Sequence, residues 1–120
     1  MASNICDYSD YDYKASFWND LNRNYEHKLE VSILKDIFDK YCKSKTSIID
    51  AGCGFGRLFE SYADLFERYL LVDYAENLLD QAKNDLQSYQ HIEYQKQSLY
   101  ELRVNNPADV ILSIRTLHHL

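Results

Sequence analysis

All three glycines of this chain lie in one short stretch, residues 47–58, with the sequence SIIDAGCGFGRL. Gly52, Gly54 and Gly56 occupy alternate positions shortly after Asp50. Glycine tolerates positive φ and lets the backbone approach a ligand closely. In doubly wound α/β sheets, ligands bind where a strand turns into its helix. A tight turn without a ligand is the alternative, but it needs about one glycine, so the loop predicts a ligand site.

The spacing of the glycines distinguishes between kinds of ligand. Dinucleotide-binding loops use GxGxxG, in which the third glycine allows close packing of helix and strand while the pyrophosphate binds the helix N-terminus. Arg57 and Phe59 occupy the two positions where that third glycine would fall. A GxxxxGK[ST] phosphate loop also fails, because no lysine follows Gly56. The sequence contains DxGxGxG instead, so the spacing argues against a dinucleotide.

Few other residues have a spacing that indicates chemistry. His118 and His119 follow the last apolar segment and are candidates for a general base, a structural turn or part of the ligand site. No HxxxH pattern or carboxylate at ligand spacing accompanies them, so we predict no metal site. Cys6, Cys42 and Cys53 are odd in number and far apart, which predicts reduced thiols.

The segments that would position these residues alternate between strand and helix patterns. We predict helices over residues 25–43, 56–66 and 75–87, and strands over residues 47–50, 69–72, 91–96 and 108–114. Residues 98–107 are predicted to form a connection. Strands joined by helical crossovers form a parallel sheet with helices on both faces. The predicted fold class is therefore α/β, a doubly wound sheet in three layers.

Composition limits the partners of this chain. Its 120 residues suffice for one domain, and a hydrophobic content of 46% indicates a folded chain. A net charge of −6 gives no basic surface for nucleic acid or an anionic membrane. No apolar stretch approaches the roughly 20 residues of a membrane span. We expect a cytoplasmic protein with a flap or disordered arm over residues 1–24 and the domain over residues 25–120.

Three segments, in this order, resemble the class I S-adenosylmethionine-dependent methyltransferases. IIDAGCGFGRL, residues 48–58, is similar to the first motif of that family. LLVDYAENLLDQAK, residues 70–83, resembles the second strand, its terminal acidic residue and the helix that follows. ADVILSIRTLHHL, residues 108–120, resembles the fourth strand and the leucine and histidine turn of one branch. FWNDLNRNYEHKLE, residues 17–30, also resembles the N-terminal helix of some members.

The resemblance implies a Rossmann-like fold, in which the family orders its strands 3-2-1-4-5-7-6. The sequence ends shortly after the fourth predicted strand. We therefore expect a truncated sheet that lacks much of the acceptor pocket. The fourth strand would be an exposed apolar edge, and such an edge predicts self-association.

The same resemblance implies S-adenosylmethionine as the cofactor and S-adenosylhomocysteine as its product. The residues implied to bind the cofactor lie in the glycine loop and after the second and third strands: Asp50, Ala51, Gly52, Gly54, Gly56, Asp73, Tyr74, Gln97, Ser98 and Leu99. Asp73 would accept hydrogen bonds from both ribose hydroxyls, although an N-cap of the next helix is the alternative. Tyr74 would pack on the adenine. Gln97 stands near the position where many members have an aspartate for the adenine amino group.

The function implied is transfer of a methyl group to an acceptor that the sequence does not identify. This in-line displacement depends mainly on positioning. A general base is needed only if the acceptor must lose a proton, and His118 and His119 are the candidates. A noncatalytic binding or scaffold module with the same fold is the alternative function. A dinucleotide oxidoreductase is disfavoured by the glycine spacing.

Overall fold

The structure is a computed structural model that describes residues 21–42, 45–98 and 108–114. The described elements, in chain order, are α1 (Leu21–Tyr41), β1 (Ser47–Ala51), a single 3-10 turn (Phe59–Ser61), β2 (Arg68–Asp73), α2 (Glu76–Asp85), β3 (Ile92–Lys96) and β4 (Val110–Leu112). All four predicted strands are therefore confirmed, with small shifts at their ends. Residues 99–107 of the connection predicted over residues 98–107 lie outside the described residues, as does the segment 115–120.

The four strands form one parallel sheet in the order β3-β2-β1-β4. β1 is central, with Ile49 beside Leu70 of β2 and beside Ile111 of β4. The parallel pairing requires crossover connections between the strands. The Rossmann-like α/β fold is thus confirmed, including the order of its first four strands, and in the described chain β4 and β3 are the two edges.

β1 is buried along its whole length because its β-branched and small residues face apolar side chains on both sides of the sheet. Ile48 belongs to the main core, which also contains buried residues of α1, the 3-10 turn and α2. Ile49 and Ala51 pack with Val72 on the opposite face. Asp50 also lies on this strand, and burying a carboxylate costs free energy unless it has a partner. Asp50 therefore needs a hydrogen-bond or ionic partner in the core.

Helix α1 confirms the predicted N-terminal helix, but it begins four residues before the predicted start at residue 25, inside the arm predicted over residues 1–24. The rest of that arm, residues 1–20, lies outside the described residues. Only part of the apolar surface of α1 is buried. Val31, Leu34 and Phe38 are buried at helical spacing. The Phe38 ring meets the rings of Tyr62 and Phe66 edge to face, at centroid distances of 6.1 and 6.0 Å. The helix is therefore anchored on the core through one side. No helix of the described ranges is both long and apolar enough to cross a bilayer.

The prediction of an α-helix over residues 56–66 is wrong. Turns and the 3-10 turn occupy this segment instead, and their hydrogen bonds join an N–H to the carbonyl three residues earlier, as from Tyr62 to Phe59 at 3.0 Å. The Leu58 carbonyl accepts from the Ser61 N–H at 2.9 Å and from its hydroxyl at 2.6 Å. In an α-helix the Leu58 carbonyl would accept from the Tyr62 N–H, so the two bonds from Ser61 compete with helix formation. Asp64 follows with a positive φ of 64°, which an α-helix does not contain.

The apolar pattern of the same segment nevertheless predicts burial correctly, because its side chains form the aromatic centre of the core. Leu58, Phe59, Tyr62 and Phe66 are all buried. The Phe59 ring lies 5.1 Å from those of both Tyr62 and Tyr69. A spacing of three to four residues can be satisfied by 3-10 turns as well as by an α-helix, and the sequence pattern did not distinguish them.

Candidate functional site

The glycine loop is fastened to the end of β2 by backbone hydrogen bonds. The N–H groups of Gly52 and Cys53 both donate to the Val72 carbonyl, at 2.8 and 3.0 Å. Gly52, Gly54 and Gly56 have positive φ of 86°, 59° and 82°. An L-residue adopts such values only with strain, so the backbone of this loop accounts for the three glycines.

Asp73, the last residue of β2, joins the glycine loop to the start of α2. Its Oδ2 accepts from the Gly54 N–H at 2.8 Å and its Oδ1 accepts from the Ala75 N–H at 2.9 Å. Ala75 is the N-cap of α2 and makes no side-chain cap bond. Asp73 is therefore not the N-cap of α2, but it accepts a hydrogen bond from the N-cap residue, Ala75. A carboxylate oxygen can accept more than one hydrogen bond, so these two bonds do not by themselves prevent Asp73 from accepting others.

Asp50 lies in the core at the end of β1, with 3% of its surface exposed. Its Oδ2 accepts a hydrogen bond of 2.6 Å from the Tyr62 hydroxyl, and Tyr62 is itself fully buried. Within the described residues no second side-chain donor contacts this carboxylate. A buried carboxylate with one donor has unused acceptor positions, and these favour a ligand that carries hydrogen-bond donors or positive charge.

The electrostatic surroundings of Asp50 make its charge costly. Burial raises the pKa of Asp50 from 3.8 to about 6, and the nearby carboxylate of Asp73 adds to the increase. The Tyr62 hydroxyl and the Arg57 charge act in the opposite direction. Burial also raises the pKa of Tyr62 and of Cys53 well above their usual ranges, so both remain neutral. The two aspartates together make an environment that a cation would stabilise.

Gly54 and Gly56 share the constraint of a positive φ, and Gly56 also has a packing constraint. A Cβ at Gly54 would lie 3.9 Å from the Leu78 side chain, an ordinary contact, so the positive φ is the main constraint there. A Cβ at Gly56 would lie 2.9 Å from Cδ1 of Leu86 and 3.6 Å from Cβ of Ala82. Gly56 thus lets the second half of α2 approach the loop. The positive φ and this packing together explain the glycine, and its predicted cofactor contact stays a prediction.

Gly56→Ala should lower the free energy of unfolding by about 2 kcal/mol, through backbone strain and the contact with Leu86. Gly54→Ala, the matched control, should lower it by about 1 kcal/mol through backbone strain alone. In a Leu86→Ala background the cost of Gly56→Ala should fall to that of the control. Urea denaturation measures all four variants, and an undiminished cost in the Leu86→Ala background would contradict the packing explanation.

The structure brings most of the predicted cofactor residues to one edge of the sheet. Asp50, Ala51 and the loop follow β1, while Asp73 and Tyr74 follow β2. Tyr74 is 45% exposed, and its predicted contact with the adenine stays a prediction.

Gln97 and Ser98 follow β3 at the same edge, and the Gln97 N–H donates to the Asp73 carbonyl at 3.0 Å. The Gln97 side-chain oxygen accepts from the Gln95 amide. An amide oxygen has a second lone pair, so the predicted contact of Gln97 with the adenine stays a prediction. Leu99, His118 and His119 lie outside the described residues, so their predicted roles stay predictions.

Two features of the site were missed in the sequence. The first is Tyr62, whose hydroxyl reaches Asp50. Tyr62 lies within the helix predicted over residues 56–66, and its hydroxyl is the only signal in the sequence for a polar partner. The second is an ionic network in which Arg57 donates to Glu30 at 3.0 Å and to His27 Nδ1 at 3.2 Å. His27 Nε2 lies 2.9 Å from Glu60, so the network fastens α1 to the segment after the loop.

A cavity of about 310 Å³ lies between α1, the loop and the end of α2. Of the predicted cofactor residues only Gly56 lines it, so this cavity is separate from the edge where Asp50 and Asp73 lie. Within the described ranges, no three His, Cys, Asp or Glu side chains are grouped as a metal site requires. Cys42 and Cys53 are free thiols; Cys6 lies outside the described residues.

The fold and the site define the class of this protein: a Rossmann-like α/β domain with a glycine loop and two aspartates where its central strands end. Residues 48–120, more than half of the chain, match the model of the methyltransferase domain family. The chain therefore belongs to this family. Among proteins with curated functions, none matches the chain significantly.

Solved methyltransferase structures share this fold. An S-adenosylmethionine-dependent methyltransferase from Leishmania major superposes with a TM-score of 0.75 at 18% identity, over 88% of this chain and 45% of its own. Another such methyltransferase, from Clostridium acetobutylicum, superposes with a TM-score of 0.62 at 22% identity, over 84% of this chain and 40% of its own. The N-methyltransferase NodS from Bradyrhizobium japonicum, in complex with S-adenosyl-L-homocysteine, superposes with a TM-score of 0.65 at 15% identity, over 83% of this chain and 49% of its own. The chain spans less than half the length of each.

Proposed function

We propose that this chain binds S-adenosylmethionine at the edge where β1, β2 and β3 end, and that it is the cofactor-binding part of a methyltransferase. The observation that supports this most directly is the Asp73 carboxylate, which is held beside the glycine loop by the N–H groups of Gly54 and Ala75. Family membership and the cofactor named for the similar structures point the same way.

The residues of this edge fit the chemistry of the cofactor. S-adenosylmethionine has no phosphate, which agrees with a loop that lacks the dinucleotide and phosphate patterns. It has two vicinal ribose hydroxyls, for which Asp73 is the acceptor we propose. It also carries a sulfonium and an amino group, and the buried Asp50 carboxylate has unused acceptor positions and gains from a nearby cation. Tyr74 follows Asp73 in the chain and is exposed, and in this proposal its ring covers the adenine.

In this proposal the chain contributes mainly binding and orientation. The cofactor supplies a methyl group on a sulfonium, which is already a good leaving group. Holding the acceptor in line with that methyl group can contribute about 7–11 kcal/mol to lowering the barrier. The glycine loop, Asp50 and Asp73 would fix the cofactor for this alignment. His118 or His119 would act as a general base only for an acceptor that must lose a proton. The acceptor itself is not identified.

Isothermal titration with S-adenosylhomocysteine tests the proposal. We expect one-to-one binding with a Kd on the order of 10–100 µM for this chain, and no heat change with NAD at the same concentrations. Binding by neither this chain nor a longer form of the protein would overturn the proposal. NAD binding would instead support the dinucleotide oxidoreductase that the glycine spacing disfavours. The alternative of a noncatalytic scaffold module has no observation in its favour, and methyl transfer by a longer form would eliminate it.

A further inference from the structure

The side of α1 that faces the core becomes polar where it reaches the glycine loop. Four residues follow one face of the helix at intervals of three or four positions: His27, Val31, Leu34 and Phe38. The last three of them are buried in the core. His27 and its neighbour Glu30 contact Arg57 instead, at 3.2 and 3.0 Å. The apolar part of this face therefore fixes α1 on the core, and the polar part contacts the residue that follows Gly56.

Arg57 is bound to α1 through one nitrogen of its guanidinium. Nη1 donates to Oε1 of Glu30 and to Nδ1 of His27. A guanidinium can only donate, so Nδ1 of His27 is the acceptor and the ring carries its proton on Nε2. This Nε2 lies 2.9 Å from Oε1 of Glu60 and donates to it. The Arg57 side chain is only 10% exposed, and a charged hydrogen bond is stronger where water is largely excluded.

A short series of backbone hydrogen bonds connects Arg57 with the proposed cofactor site. Arg57 follows Gly56, whose N–H donates to the Cys53 carbonyl at 3.0 Å. Within that turn, the Gly54 N–H donates to the Asp73 carboxylate at 2.8 Å. A displacement of Arg57 therefore alters the turn and the contact between the loop and Asp73. A loop that is already ordered loses less conformational entropy when it binds a ligand.

We propose that Arg57 is a positioning residue for the cofactor, and that its bonds to Glu30 and His27 hold the glycine loop in its binding conformation. This inference rests on the proposed function. It couples α1 to the cofactor, so that breaking the contact with α1 weakens cofactor binding from a distance. The charge of Arg57 acts in the same direction. Burial raises the pKa of Asp50, and Arg57 opposes this increase, which favours the ionised carboxylate at the start of the loop.

Isothermal titration with S-adenosylhomocysteine tests the coupling on the 120-residue chain. Glu30→Gln removes the charged partner of Arg57 and leaves Arg57 in place. It should raise the Kd about fivefold or more, a coupling at the lower end of the usual range. The matched control is Asp36→Asn, which neutralises an exposed carboxylate of the same helix. It should change the Kd less than about twofold. Circular dichroism checks that both variants remain folded.

A double-mutant cycle shows whether Glu30 acts through Arg57. Arg57→Gln should weaken binding at least as much as Glu30→Gln. Adding Glu30→Gln to Arg57→Gln should then change the Kd less than about twofold, because the pair is already broken. Arg57→Lys retains the charge and a donor for Glu30, so it should recover part of the affinity. Losses that simply multiply in the double variant would overturn the inference, because the two residues would then act independently.

Amide hydrogen exchange without any ligand tests the loop itself. Glu30→Gln should accelerate exchange of the Gly54 and Gly56 N–H groups about fivefold or more, and Asp36→Asn should not. Unchanged exchange would overturn the inference. So would a variant in which Glu30→Gln lowers the free energy of unfolding but leaves the Kd unchanged, since the contact would then stabilise only the fold. In that case the proposed function stands. If neither the original chain nor a longer form binds S-adenosylhomocysteine, the proposed function fails and this inference fails with it.

Discussion

Asp73→Ala should weaken the binding of S-adenosylhomocysteine by about 100-fold or more. Two effects add in the same direction. The variant removes the proposed acceptor of the ribose hydroxyls, and hydrogen bonds to a charged group contribute about 1.5–3 kcal/mol each. It also leaves the Gly54 and Ala75 N–H groups without the carboxylate to which they donate at 2.8 and 2.9 Å, so the loop loses its connection to α2. Isothermal titration at pH 7.5 measures the change.

Glu76→Ala is the matched control for this substitution. Glu76 is a carboxylate three positions further along the chain, in the first turn of α2, where it makes an exposed contact of 3.5 Å with Lys96. Its removal should change the Kd less than twofold. The ribose assignment has a separate test, an analogue without the two ribose hydroxyls. That analogue should bind the original chain weakly and should lose little more with Asp73→Ala. An equal loss for both ligands would leave Asp73 a role in the loop but not at the ribose.

The sequence predicted the site best where the backbone requires particular residue types. The β-branched run before Asp50 and the alternate glycines after it specify a buried strand and a loop with positive φ, and both were found. Asp73 was predicted at the end of the next strand because an apolar run stops there. These are local constraints, which depend on neighbours in the chain and need no knowledge of the tertiary structure.

The sequence predicted less where several structures satisfy one pattern. The apolar spacing after Gly56 fits an α-helix and a series of 3-10 turns equally well, and the Ser61 bond to Leu58 favours the second. On α1 the pattern did not show which of two apolar faces meets the core, since Leu34 and Ile33 are adjacent and equally apolar. Contacts between segments that are distant in the sequence could not be predicted, because they depend on the final packing. The hydrogen bond from the Tyr62 hydroxyl to Asp50 is an example.

Tyr62→Phe should destabilise the protein more at pH 8 than at pH 5. The pKa of Asp50 is raised from 3.8 to about 6 in the folded protein, so between these values the folded state binds more protons than the unfolded state. Stability therefore falls as the pH rises through this window, by roughly 3 kcal/mol in all. The Tyr62 hydroxyl opposes this loss by donating to the ionised carboxylate at 2.6 Å. Its removal should cost about 1 kcal/mol at pH 5 and about 2–3 kcal/mol at pH 8.

Tyr69→Phe separates this effect from the loss of any buried hydroxyl. The Tyr69 hydroxyl accepts from the Phe66 N–H at 3.1 Å and does not contact Asp50, so its removal should cost the same at both pH values. Urea denaturation at pH 5 and pH 8 gives the free energies of unfolding. In an Asp50→Asn background the cost of Tyr62→Phe should no longer depend on pH. If it still does, another group titrates beside Tyr62, and the buried aspartate under the glycine loop is not the source of the pH dependence.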